Sequence, residues 1–181
     1  FLSCPVPSVR ERMSDTESLK RAVEADPEAL ERRFEEVSRG LGSDDPRRRM
    51  DAGRALREAA KHDPTLVEPH RELLVELLGD GNGSVTLSAA VGVAELADYD
   101  PATVADVVPD LIAILREAHA PAIEEATMRA IKRIGEWSPE AAASADPALA
   151  EKLRGATPPV RIVVVSYVAD AVVEDPAQYP E

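Results

Sequence analysis

One phrase constrains this chain more than any other: a small or acidic residue followed by proline, recurring at Asp26-Pro27, Asp63-Pro64, Asp100-Pro101, Ser138-Pro139 and Asp175-Pro176. Successive prolines stand 37, 37, 38 and 37 residues apart. A period held that closely marks an internal repeat, in which each unit is too small to bury its apolar face alone and must stack on its neighbours. The phrase also fixes what a unit is made of. Proline pushes the residue before it out of helical conformation, so a helix ends there. Proline also starts a helix at no cost, because the first helical N–H has no partner anyway. The preceding Asp or Ser caps the new helix, and a carboxylate suits its positive end. Each phrase is therefore a helix–turn–helix corner, which explains how a helical chain carries 15 prolines.

The register divides the chain into a leader over 1–13, expected to be disordered, and units over 14–42, 43–80, 81–118, 119–156 and 157–181. Ser14 with Glu17 forms a capping box that opens the first helix, whose stripe is Leu19, Ala22 and Val23. Leu30, Phe34, Val37 and Leu41 make the stripe of the second. In the later units the spacing predicts first (A) helices from Pro46 to about Lys61, Ser84 to Asp98, Pro121 to Glu136 and Pro158 to Glu174. Second (B) helices are expected from Pro64 to Leu78 and from Pro101 to Glu117, with a third broken at Pro147. Leu41, Leu78, Leu115 and Leu153 share one column, and Pro46, Gly83, Pro121 and Pro158 share another. The fold expected is all-α: an α-solenoid of about four helical hairpins plus a C-terminal half-repeat.

Composition excludes several classes of function. With 44% hydrophobic residues the chain can build a core, but only 3% are aromatic, which suits thin helix-on-helix packing. A net charge of −13 argues against a nucleic-acid groove, which needs clustered Lys and Arg. Lysine supplies four of the 21 basic residues. That acid-rich, lysine-poor balance points to a halophilic archaeon, or else a high-GC bacterium, with the charge spread as solvation over the whole surface. Cys4 is the single cysteine, so no intrachain disulfide forms. No apolar run is long enough to span a membrane, and a cytoplasmic location is expected.

The first helix of the second unit, Asp45-Pro46-Arg47-Arg48-Arg49-Met50-Asp51-Ala52-Gly53-Arg54-Ala55-Leu56, resembles the HEAT-repeat family, in the variant called PBS-lyase HEAT-like. That family's first helix runs Asp-x-x-Val-Arg-x-x-Ala-x-x-Ala-Leu; Arg48 stands where it has Val. Pro159-Val160-Arg161 fits the same Val-Arg, and Leu77-Leu78-Gly79-Asp80 fits the Leu-Leu-x-Asp that closes the second helix. The arginine column holds Thr86 and Glu124 in the third and fourth units, a departure from the pattern. The resemblance covers 14–181 and implies a fold; function lives in sites grafted on it. It implies for Arg49 a structural pairing with Asp45 or an Asp of the next turn.

The resemblance also frames the candidate chemistry. The di-iron hydroxylases of this fold carry His-Glu pairs, whereas Asp63, Arg71 and Ala120 follow the three histidines here; no metal and no cofactor are expected. The function expected is a non-catalytic interaction scaffold with a protein partner. The outward face of the B helices, concave in such arrays, would carry it: Glu68, Arg71, Glu72, Asp106 and Asp110, with Glu31, Arg32, Glu35 and Glu76 beside them. Tyr99 and Trp137 precede their corner prolines by two residues, as does His62, and either form an aromatic ridge or seal the core end. A solvated acidic face is the plainer account of the carboxylates. The one basic concentration, Arg47, Arg48, Arg49, Arg54, Arg57 and Lys61, would take an acidic partner or is simply solvated. His70 lies beside an apolar stripe and is expected to be half-buried. Self-association through helix 158–174, apolar nearly all round, is a second expectation, and a bilin-lyase-like enzyme is the alternative activity.

Overall fold

The computed structural model describes residues 19–117 and 120–142. Among them the regular structure is helical throughout, with no strand. Three helices of 17 residues each form the backbone of the structure: α4 (Pro46–His62), α6 (Gly83–Tyr99) and α8 (Pro121–Trp137). They pack in sequence, α4 on α6 and α6 on α8. Shorter helices cover them: α1 over 19–25, α2 (Ala29–Arg32), α3 (Phe34–Leu41), α5 (Arg71–Leu78), α7 (Val108–Arg116) and α9 (Pro139–Ala142).

The long helices start and stop where the sequence predicts. Asp45 and Asn82 stay extended, and their side chains accept from the N–H groups of Arg47 and Ser84 at 2.9 and 3.0 Å. Each cap satisfies a donor that the first helical turn leaves free. Pro121 opens α8 without a side-chain cap from Ala120. At the far ends, Asp63, Asp100 and Ser138 are extended, as residues before proline must be. Asp63 then accepts from the Thr65 N–H and hydroxyl, and Asp100 from the Ala102 N–H and the Thr103 hydroxyl. The first corner differs. Asp26 caps nothing with its side chain, pairing instead with Arg32, and α2 begins only at Ala29.

The B segments are not the continuous helices the spacing suggests. Pro64–Leu66 and Glu68–His70 are separate 3₁₀ turns, and α-helix begins at Arg71. Pro101–Val107 is 3₁₀, and α-helix begins at Val108. Two prolines inside these segments supply part of the reason. Inside an α-helix, Pro69 would lose a hydrogen bond to the Thr65 carbonyl and press its ring against it; Pro109 would do the same to Ala105. The turn before each takes the tighter i→i+3 bonding instead, as in Val67 N–H to Pro64 at 3.1 Å and His70 N–H to Val67 at 2.9 Å. Yet the first unit breaks at the same register, at Arg33 (φ −116°), without a proline. Phe34, Arg71 and Val108 each stand seven positions after their corner proline. The break is thus a property of the repeat, which proline reinforces.

The core runs unbroken through the described units. Its largest fully buried side chains include Leu30, Leu56, Leu74, Leu96, Leu111, Leu115, Met128, Ile131 and Ile134. Where helices meet most closely, small residues make room. A Cβ on Gly53 would lie 3.5 Å from Ser88 of α6, and one on Gly92 would lie 3.1 Å from the Leu74 methyls. The buried hydroxyls of Ser88 and Thr127 donate to the carbonyls one turn earlier, Ser84 and Ile123, so neither costs an unsatisfied group. The expectations for the leader over 1–13, the capping box, the break at Pro147 and the terminal helix over 158–174 lie outside the described residues.

Candidate functional site

The residues expected to carry binding fall into three groups. The first is engaged within the structure. Arg71, at the start of α5, donates to Asp106 at 2.6 and 3.0 Å through both terminal nitrogens, and to the Thr103 carbonyl at 2.8 Å. Arg71 and Asp106 are therefore a bidentate pair tying one B segment to the next. The bond raises the arginine pKa and holds the Asp106 carboxyl below its usual range. They stabilise the stack before they can serve a partner.

The second group is open. Glu68, Glu72 and Asp110 are exposed, on the same B segments. The third is the corner aromatics. Tyr99 is 58% exposed and Trp137 53%, the two large apolar side chains left in water among the described residues. Neither seals the core end. They end the adjacent helices α6 and α8 at equivalent positions.

Other candidates become structural. His70 stacks on Phe34, ring centroids 3.5 Å apart and planes 9° apart. Burial lowers its pKa, with Glu31 pulling weakly the other way. Of the two partners expected for Arg49, the structure uses an Asp of the following turn and not Asp45. The arginine donates to the Ser43 carbonyl at 2.8 Å and approaches Asp80, in the turn before the next unit, at 3.8 Å. Thr86, in the same column one unit on, donates to the Asp80 carbonyl at 2.8 Å. Both residues fasten the turn between units, by different chemistry. Arg54 and Arg57 lie beside Asp51 and Glu58, which leaves Arg47, Arg48 and Lys61 as the exposed remainder of the basic concentration.

One feature escaped the sequence. A cleft of about 790 Å³ opens between α5, the 79–83 turn, the start of α6, α7 and the start of α8. Val75, Leu78, Leu87, Ala113, Ile114 and Ile123 give it apolar walls. Glu76, Asp80, Asp110 and Glu117 also line it, and among the described residues no Lys or Arg does. Only Asp110 belongs to the expected site, with Glu76 beside it on the expected face. The glycines at 79, 81 and 83 were the available sign: side chains missing from a turn between two helices leave space there. Among the described residues, no group of three His, Cys, Asp or Glu could hold a metal ion, and no helix is long and apolar enough to cross a membrane.

No protein-family model matches the chain, and no curated protein matches it. Among solved structures, it is similar to the crystal structure of an engineered protein from the Northeast Structural Genomics Consortium, with a TM-score of 0.66. That match has 20% identity and covers 91% of this chain and 76% of the other. At that identity the likeness bears on the fold alone.

Proposed function

We propose that this chain is a HEAT-like α-solenoid serving as a non-catalytic scaffold for a protein partner in the cytoplasm of a halophile. The observation that carries the reading is the exposure of Tyr99 and Trp137 at equivalent corners of neighbouring helices. Aromatic side chains are scarce here, and packing places the other described one, Phe34, against His70. Two left more than half in water are the residue types that anchor protein interfaces. Glu68, Glu72 and Asp110 give the B face its charge and would steer a basic partner toward it.

Affinity capture from the native cytoplasm, at native salt, tests this. The bait is compared with a Tyr99→Ser/Trp137→Ser variant and with a Glu68→Lys/Glu72→Lys variant. A protein recovered by the parent and lost by either variant supports the reading and locates the contact. Equal recovery by all three removes both surfaces. Asp106 is unsuitable for reversal, because a lysine there would face Arg71 and strain the fold itself.

A further inference from the structure

The cleft between α5 and α7 deepens the scaffold reading and rests on it. Its walls are aliphatic, and its volume of about 790 Å³ lies within the roughly 300–1,000 Å³ typical of ligand sites. Glu76 and Asp110 stand on different helices, are exposed, and make no ion pair among the described residues. Asp80 is partly engaged by Arg49. An apolar floor beneath Glu76 and Asp110, with no Lys or Arg on the wall among the described residues, selects an occupant by both shape and charge. An acidic or neutral segment would leave those carboxylates uncompensated on approach. A bare polycation would leave the aliphatic walls unfilled.

We propose that this cleft docks a short segment of a protein partner that carries aliphatic side chains flanked by lysine or arginine. The aliphatic groups enter between Val75, Leu87 and Ala113, and the flanking cations reach Glu76 and Asp110.

The probe is a short fluorescein-labelled peptide with a Leu-x-x-Leu core and lysines on both sides, titrated against the full chain by anisotropy. Two control peptides replace the leucines by serine or the lysines by glutamate. The parent protein binds the first peptide and not the controls. Glu76→Gln/Asp110→Asn weakens binding about tenfold, as expected for two solvent-facing ion pairs. Ala113→Trp, which fills the cleft from an exposed position, abolishes binding while circular dichroism stays unchanged. Glu125→Gln/Glu140→Gln removes the same charge from exposed sites elsewhere and changes affinity less than twofold. Equal weakening by the two charge pairs, equal binding of the serine peptide, or no binding of the leucine–lysine peptide overturns the proposal. Each result is independent of the Tyr99/Trp137 capture, so this site and the scaffold reading fail separately.

Discussion

Replacing Arg71 should cost more than replacing its partner Asp106, and the difference follows from the geometry. Asp106 makes two bonds to another side chain, both to Arg71, and its own side chain is 66% exposed. Water screens such a pair to about 0.5–1 kcal/mol, so Asp106→Ala costs about that much. Arg71 makes the same two bonds and a third to the Thr103 carbonyl, with its side chain 28% exposed. A net hydrogen bond adds about 1 kcal/mol, so Arg71→Ala costs about 1.5–2 kcal/mol by the same estimates. A double-mutant cycle by urea unfolding should return a coupling near the Asp106 value, because only the ion pair is shared. The coupling should shrink in concentrated salt. It should also vanish in acid. The folded state holds the Asp106 carboxyl below its ordinary value, so its contribution is present above the unfolded value and is lost as pH falls through the folded one. An Asp106→Ala cost equal to that of Arg71→Ala, or a coupling near zero at neutral pH, would refute the assignment of Arg71 as a tie between B segments.

Three further outcomes follow from packing. Gly53→Ala should stabilise by about 0.5–1 kcal/mol, since a Cβ there meets Ser88 at an ordinary 3.5 Å and alanine is the better helix former. Gly40→Ala should destabilise by about 1–2 kcal/mol, since its Cβ would lie 2.9 Å from that of Ala52; thermal melts rank the two. Tyr99→Ser and Trp137→Ser should each change unfolding free energy by less than about 0.5 kcal/mol, as surface substitutions do, and a larger loss would show that the rings are packed. Burial lowers the His70 pKa, so the neutral ring is the favoured folded form, and its contribution is lost as pH falls below the unfolded value of about 6.5. His70→Phe should keep the stack on Phe34 and flatten the pH dependence of Tm between pH 8 and 5.

The corners were legible because proline acts on its immediate neighbours: Asp63, Asp100 and Ser138 end their helices where the dipeptides stand. The long A helices were legible for the same reason, bounded by Asp45, Asn82 and the corners. The B segments were half legible. Pro69 and Pro109 forbid a continuous helix by local sterics, a signal present in the sequence and overridden there by the apolar spacing. The break at Arg33 has no local signature. The site was less legible still. That Arg71 faces Asp106 depends on how consecutive units are stacked, and the cleft is made by four helices contributing a few residues each. Exposure of Tyr99 and Trp137 is one of two arrangements that their spacing allows, and only the packed corners choose between them.

The long helices meet through chemistries that differ from one junction to the next. Between α6 and α8, Arg129 reaches Glu95 at 2.7 Å and Arg133 reaches Asp98 at 2.5 Å. Between α4 and α6, Gly53 lets the Ser88 side chain come close instead. Equal length therefore does not make the units interchangeable modules. A chain extended by duplicating residues 81–118 would seat Val91 and Glu95 where Arg129 and Arg133 now stand, leaving Glu95 of one copy against an aliphatic side chain and its Asp98 against a like charge. The order of the units is written into their junctions, so recombination between them within the gene would be filtered by folding as well as by reading frame.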